Sequence, residues 1–179
     1  MPNLPQHAFI LAAGFGTRMK PLTDTIPKPM VVVRGKPVID HILDKMADAG
    51  VKAASINAHH HAHVLEQHLK DRINPRVILA VEEKILDTGG GLKNMLAGFT
   101  DDLVLTVNGD SFWTDGPSGN VFARLAQHWN PAGMDMLSVL QPVDQMKLTG
   151  GVGDYDLHGD GSVERSLTKS GKYMWTSIR

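Results

Sequence analysis

Two glycines follow a short apolar run in Leu11-Ala12-Ala13-Gly14-Phe15-Gly16-Thr17-Arg18. A strand that runs into such a pair lets the backbone come close to a ligand and turn its amide N–H groups toward phosphate oxygens. The segment lacks the third glycine of a dinucleotide fingerprint, where Met19 stands, and it lacks the Gly-Lys-Ser/Thr end of a Walker A loop. Alone, it is equally well explained as a tight turn. The residues after it carry more. Arg18, Pro21-Leu22-Thr23 and Pro27-Lys28-Pro29 set two cations in an irregular, proline-stiffened stretch. Fixed positive charge beside phosphates stabilises charge developing on a leaving group, so the stretch suits a triphosphate.

Three further groups could do chemistry. Asp110, in Asn108-Gly109-Asp110, ends the apolar run Leu103 to Val107. An aspartate there is commonly a turn residue, but it also suits Mg²⁺, which takes one or two carboxylates and fills its octahedron with phosphate oxygens and water. The run from Glu82 to Gly91, V-E-E-K-I-L-D-T-G-G-G with its preceding valine, reads as a charged loop ending in a glycine turn. A carboxylate at Glu82 can accept from uracil N3–H or equally from guanine N1–H and N2–H₂, so its chemistry leaves the base open. His59, His60, His61 and His63 crowd one segment. Three consecutive histidines cannot converge on one ion without distorting the backbone, so a solvated helix start fits better than a zinc site.

The elements that must hold these residues alternate. Strands are expected at Ala8 to Ala13, Ala53 to Asn57, Val77 to Val81, Leu103 to Val107 and Met136 to Leu140. Helices are expected around Val38 to Met46, stopped by Gly50, around Val64 to Leu69, around Leu92 to Phe99 after an opening at Gly89 to Gly91, and around Val121 to Trp129. This rhythm implies an α/β fold of the Rossmann-like kind: a mostly parallel sheet with helices on both faces. Ligands of such sheets bind beyond the carboxyl ends of the strands, where the glycine loop and Asp110 both lie. After Gly150 the texture changes to a short antiparallel appendage, with His158-Gly159-Asp160-Gly161 as a hairpin turn and a strand from Tyr173 to Ile178.

Bulk properties narrow the classes. A chain of 179 residues suits one domain with a sizeable core. A net charge of −1 gives no basic surface for nucleic acid. Without cysteine there is neither a disulfide framework nor a thiolate metal site. The longest apolar runs, Phe9 to Ala13 and Met30 to Val33, are too short to span a bilayer, and no secretory pattern opens the chain. A cytoplasmic protein with no membrane partner is expected; the oligomeric state is not legible.

The string L-A-A-G-F-G-T-R-M-K-P-L-T, with P-K-P-M and G-K-P-V-I-D-H after it, resembles the sugar 1-phosphate nucleotidyltransferases. The combination of D-T-G-G-G, V-N-G-D and W-T-D is most similar to the bacterial N-acetylmuramic acid 1-phosphate uridylyltransferases, which tips the base toward uracil. The resemblance implies substrates: a nucleoside triphosphate, UTP for choice, and a sugar 1-phosphate, with Mg²⁺ as cofactor. It implies that Leu11, Ala12, Ala13, Gly14, Phe15, Gly16, Thr17 and Arg18 wrap the nucleotide and that Arg18 and Lys28 act on its phosphates. It further implies that Glu82, Thr88 and Gly89 sit at the base, that Asn108 positions Asp110 or touches the ribose, and that Asp110 holds the metal. Gly151, Gly153 and Asp154 resemble a weaker segment lining the acceptor sugar. A mannose 1-phosphate guanylyltransferase, or a nucleotide-binding module without turnover, are the other readings.

Relatives continue past residue 179 and carry there a W-x-D-x-G-T segment whose aspartate is the second metal ligand. Asp115, Asp154 and Asp156 are the carboxylates of uncertain position that remain here. The expectation is therefore one core domain over residues 1–179, with a nucleotide half over 1–115 and a partial acceptor half over 116–179, binding UTP but turning over poorly.

Overall fold

A computed structural model describes residues 4–146 and 152–179. The sequence reading puts one domain with a change of halves after residue 115. The chain groups into two compact units, Met1–Asn130 and Pro131–Arg179.

The first unit contains β1 (His7–Leu11), the two-residue strands β2 (Val32–Val33) and β3 (Lys36–Pro37), α1 (Val38–Ala49), β4 (Ala53–Ala58), α2 (Ala62–Leu69), β5 (Arg76–Val81), α3 (Asp87–Met95), β6 (Leu105–Asn108) and α4 (Val121–His128). Its main sheet runs β5-β4-β1-β6, all parallel. The chain moves outward from β1 to β4 and β5, then returns to place β6 on the other side of β1. That reversal opens a crevice at the carboxyl ends of β1 and β6.

The central strands pack because both their faces are covered. Ala8, Phe9 and Ile10 are fully buried, and every residue of β4 is buried, Ser55 and Asn57 included. Helix α1 buries Val38, Ile39, Ile42, Leu43 and Met46 as one stripe. It ends where Gly50 adopts a left-handed φ of 101° and donates its N–H to Met46 and Ala47 carbonyls. Helix α4 opens on Asn120, whose side chain accepts from the Phe122 and Ala123 amides and donates to the Lys45 carbonyl of α1.

The glycines Gly89 to Gly91 do not open a helix; they lie inside α3. Three glycines weaken a helix by propensity, and packing overrides that here. A Cβ on Gly91 would stand 2.5 Å from Asn57 Nδ2 and 2.8 Å from Glu82 Oε1, so only glycine lets α3 close over those side chains.

The second unit holds β7 (Leu140–Pro142), β8 (Tyr155–Leu157), β9 (Val163–Arg165) and β10 (Tyr173–Trp175) in an antiparallel sheet ordered β7-β10-β8-β9. Its β8–β9 turn has the expected hairpin form, closed by His158 N–H to Ser162 and Ser162 N–H to Asp160. The strand expected at Met136 to Leu140 is displaced to Leu140–Pro142 and belongs to this antiparallel sheet, where it pairs with β10. An apolar run marks burial and strand tendency, but not which sheet supplies the partner. The strand expected to reach Ile178 stops at Trp175.

Candidate functional site

A pocket lies at the carboxyl ends of β1, β4 and β6. Leu11 to Gly14 border it from β1, Asn57 from β4, and Asn108 with Asp110 from β6; Lys28, Pro29, Ile85, Asp87 and Thr88 complete it. Leu11, Ala12, Ala13, Gly14, Lys28, Thr88, Asn108 and Asp110 are among the residues singled out in the sequence. Pro29 belongs to the proline-stiffened stretch read in the sequence; Asn57, Ile85 and Asp87 are not named there as site residues. A buried asparagine at a strand end carries no signal by residue type; only the strand register brings it here.

The two glycines of the loop differ. Around Gly14 there is open space for a Cβ, and its position borders the pocket. Gly16 has φ 64°, and a Cβ there would meet Thr23 Cγ2 at 2.9 Å and Lys28 Cβ at 3.3 Å. Thr23 is fully buried and donates its hydroxyl to the Gly16 carbonyl at 2.9 Å. Gly14 thus leaves room for a ligand, while Gly16 lets the loop fold back. Phe15, Gly16, Thr17 and Arg18 lie beyond the pocket lining. Thr17 to Met19 form one 3₁₀ turn, and Arg18 is exposed, with no ion pair among the described residues.

The histidines stand at the expected helix start, with His61 preceding α2 and His63 exposed, and three of them also meet neighbouring backbone. His60 and His61 ring nitrogens reach the Thr23 and Asp24 carbonyls at 3.3 and 3.0 Å, and His59 Nδ1 meets the Glu82 carbonyl at 2.8 Å. A ring nitrogen facing a carbonyl must carry the proton. The Phe15 ring packs edge-on against His59.

Lys28 opens a 3₁₀ turn between Pro27 and Pro29, and its ammonium donates to Asp110 Oδ2. Both side chains are about one-third exposed. The segment bearing Asp110 approaches β1 closely: Gly109 N–H donates to the Leu11 carbonyl at 2.8 Å, and a Cβ on Gly109 would stand 3.0 Å from that of Ala12. A cation and a carboxylate are therefore fixed beside the backbone of Ala12 to Gly14.

Glu82 needs a correction. It is 5% exposed and stands behind the lining rather than on it. Its Oε1 accepts from Asn57 Nδ2 at 2.7 Å and its Oε2 from the Leu86 amide at 3.0 Å. Asn57 Oδ1 in turn accepts from the Ala12 amide at 2.7 Å. The family resemblance implied a carboxylate offered to a base; the fold commits both its oxygens to protein donors. Gly89 also lies off the lining, whereas Thr88 is on it. Asp87 borders the pocket with a left-handed φ of 57°, unusual for a residue with a side chain.

The remaining carboxylates are engaged elsewhere. Asp115 pairs with Lys45 at 2.5 Å and accepts from Trp113 Nε1 and the Val121 amide. Asp156 accepts from the Lys172 amide. Asp154 accepts from the Trp175 amide and from Lys169. Gly153 crosses Gly171 so closely that a Cβ would lie 1.5 Å from the Gly171 carbonyl oxygen; the second unit's own packing requires that glycine. Gly151 lies outside the described residues. Asp110 and Asp87 are thus the two carboxylates on the pocket, and among the described residues no group of three His, Asp or Glu side chains is placed to hold a metal by itself. None of the helices described is long and apolar enough to cross a membrane.

Known proteins share this architecture. A UDP-glucose pyrophosphorylase solved with UDP-glucose superposes with a TM-score of 0.72 at 16% identity, over 98% of this chain and 75% of that one. A UTP-bound enzyme of Acinetobacter baumannii gives 0.71 at 18% identity, over 98% and 73%. At such identity the likeness is one of fold. In sequence, the N-acetylmuramate alpha-1-phosphate uridylyltransferase of Caulobacter vibrioides is 39% identical over 168 residues, covering 91% of this chain and 69% of that protein. A mannose-1-phosphate guanylyltransferase of Mycobacterium tuberculosis is 33% identical over 105 residues, covering 58% of this chain and 29% of that protein. The nucleotidyl transferase family matches residues 7–165, a span that includes every residue bordering the pocket, and the chain belongs to that family.

Proposed function

We propose that the pocket binds UTP and a sugar 1-phosphate and joins them into a UDP-sugar with release of pyrophosphate. The observation that carries this is the Lys28–Asp110 pair beside the open backbone at Gly14. A lysine and exposed amides suit the phosphates, and a carboxylate at the same place suits a metal. The 39% identity to a uridylyltransferase supports uracil as the base and N-acetylmuramic acid 1-phosphate as the acceptor. We assign the reaction to the cytoplasm, where nucleoside triphosphates are made.

A phosphate-monoester oxygen of the sugar attacks the α-phosphorus, and the bond to pyrophosphate breaks. With a second pKa of about 6 the nucleophile is already anionic, so no general base is assigned. Lys28 meets the charge that grows on the oxygens of the transferring phosphorus, and the backbone amides of Ala13 and Gly14, beyond the Ala12 N–H that Asn57 takes, face the phosphates. Arg18, exposed at the loop's outer turn, supports the departing pyrophosphate. Asp110 would hold Mg²⁺, with phosphate oxygens and water completing its shell. When bound, the metal neutralises phosphate charge.

The test is pyrophosphate release from each common triphosphate with N-acetylmuramic acid 1-phosphate or mannose 1-phosphate. UTP with the former is the expected pair; GTP with the latter would establish the guanylyl reading. Lys28→Ala should lower kcat on the order of 10²-fold and change KM little, because its contact strengthens in the transition state. A rise in KM alone would make Lys28 a binding residue. The 179-residue chain is expected to bind UTP even where turnover is poor.

A further inference from the structure

We propose that Asn57 and Glu82 are positioning residues which fasten one wall of the pocket to the other, and that Glu82 does not read the base. The proposal rests on the pocket's being a nucleotide site. One wall is the segment from Ala12, which leads into the glycine loop. The other is Ile85 and Leu86 with the first residues of α3. A continuous chain of hydrogen bonds joins them: Ala12 N–H to Asn57 Oδ1 at 2.7 Å, Asn57 Nδ2 to Glu82 Oε1 at 2.7 Å, and Leu86 N–H to Glu82 Oε2 at 3.0 Å. Asn57 is 3% exposed and Glu82 5%, so water does not substitute for a lost partner. The β4–β5 ladder fixes the two side chains side by side, since Ala58 pairs with Val81 and Glu82 N–H donates to the Ala58 carbonyl at 2.7 Å. Gly91 leaves no room for a different arrangement.

The chain has a parity. Backbone donors point inward at both ends, Ala12 N–H at one and Leu86 N–H at the other. An amide passes a donor along, because it accepts on one side and donates on the other. Only a carboxylate accepts from both sides, so two inward donors require one carboxylate among the two linking residues. Glu82 supplies it. With Glu82→Gln both links are amides, and in every orientation a donor meets a donor. With Asn57→Asp alone, two carboxylates face each other. The exchange Asn57→Asp with Glu82→Gln restores the parity: residue 57 accepts from Ala12 and from residue 82, which accepts from Leu86.

The experiment compares wild type, Glu82→Gln and the double exchange. It measures calorimetric binding of Mg²⁺–UTP and Mg²⁺–GTP, amide exchange at Ala12 and Leu86, and Tm. Glu82→Gln should weaken both triphosphates by a similar factor of about ten or more, the scale of one buried hydrogen bond to a charged group, and should speed exchange at Ala12 or Leu86. The double exchange should recover most of the binding, the slow exchange and the Tm, with the order of the two triphosphates unchanged. A change of preference between UTP and GTP in Glu82→Gln would overturn the proposal and make Glu82 a base reader. So would a double exchange no better than Glu82→Gln, folded or not. If wild type binds neither triphosphate, the nucleotide reading fails, and exchange at the two amides still decides whether the link exists.

Discussion

The two ends of the parallel sheet are built from the same strands to opposite purposes. At the amino end of β1, His7 stacks on Phe9 with ring centres 5.1 Å apart, and Phe99 packs edge-on against both rings. His7 Nε2 also meets Ser55 Oγ of β4 at 2.8 Å. Large rings fill the space there. At the carboxyl end the side chains shrink to Ala12, Ala13 and Gly14, and Gly109 lets the next loop lie against β1. What remains is room bordered by Lys28 and Asp110. The contrast teaches that packing and function divide along the strand direction: aromatic volume stabilises one end, and its absence makes the other end useful.

Four measurements would break or sharpen that division. Gly16→Val should have the largest effect, because it forces a β-branched residue to φ 64° and onto the buried Thr23 methyl. Strain and overpacking together should cost about 3 kcal/mol of stability by urea titration, and nucleotide binding should be lost. The cause is the fold of the loop rather than occupation of phosphate space, as the sequence alone would have it.

Phe99→Ala comes next, at about 2 kcal/mol for a half-buried ring, with triphosphate affinity unchanged. A loss of affinity would show that the two ends are coupled. Gly14→Ala should do the reverse. Its Cβ meets nothing within 4 Å, so Tm should hold, while binding weakens roughly tenfold if phosphates need that space. Unchanged binding would move the phosphates elsewhere.

The smallest effect is a pH dependence at the amino end. Burial, and then the charge of Arg76, hold the His7 pKa below its ordinary 6.5, against an opposing pull from Asp101. The unfolded chain therefore takes up this proton first. The stability at stake is intact above pH 6.5 and is lost as pH falls from there toward the folded pKa. Wild type should lose Tm on acidification more steeply than His7→Gln; equal slopes would remove His7 as the cause.

The parallel core and much of the pocket's lining were legible in the sequence because their signals are local. Apolar runs gave β1, β4, β5 and β6, the stripe from Val38 to Met46 gave α1, and Gly50 its end. The family resemblance singled out Gly14, Lys28, Thr88, Asn108 and Asp110, and all five border the pocket. What was not legible depends on partners far along the chain. Asn57 looks like any strand-end residue until register sets it between Ala12 and Glu82. Glu82 looks like a free carboxylate until burial and two donors are known. Gly91 reads as a helix opener because its steric reason lies on β4 and just beyond β5. The helix start at the histidines was legible, but not their backbone contacts, because the carbonyls they meet belong to residues 23, 24 and 82.

The hydrogen-bond chain between Ala12 and Leu86 also constrains how this protein can diverge. An amide at position 57 with a carboxylate at position 82 is one solution, and a carboxylate at 57 with an amide at 82 would be its equivalent. Each single step between them sets like groups face to face. A lineage cannot drift from one to the other through a neutral intermediate. The two positions should therefore change together or not at all wherever Ala12 and Leu86 keep their inward amides, so that a buried pair 25 residues apart is inherited as one unit.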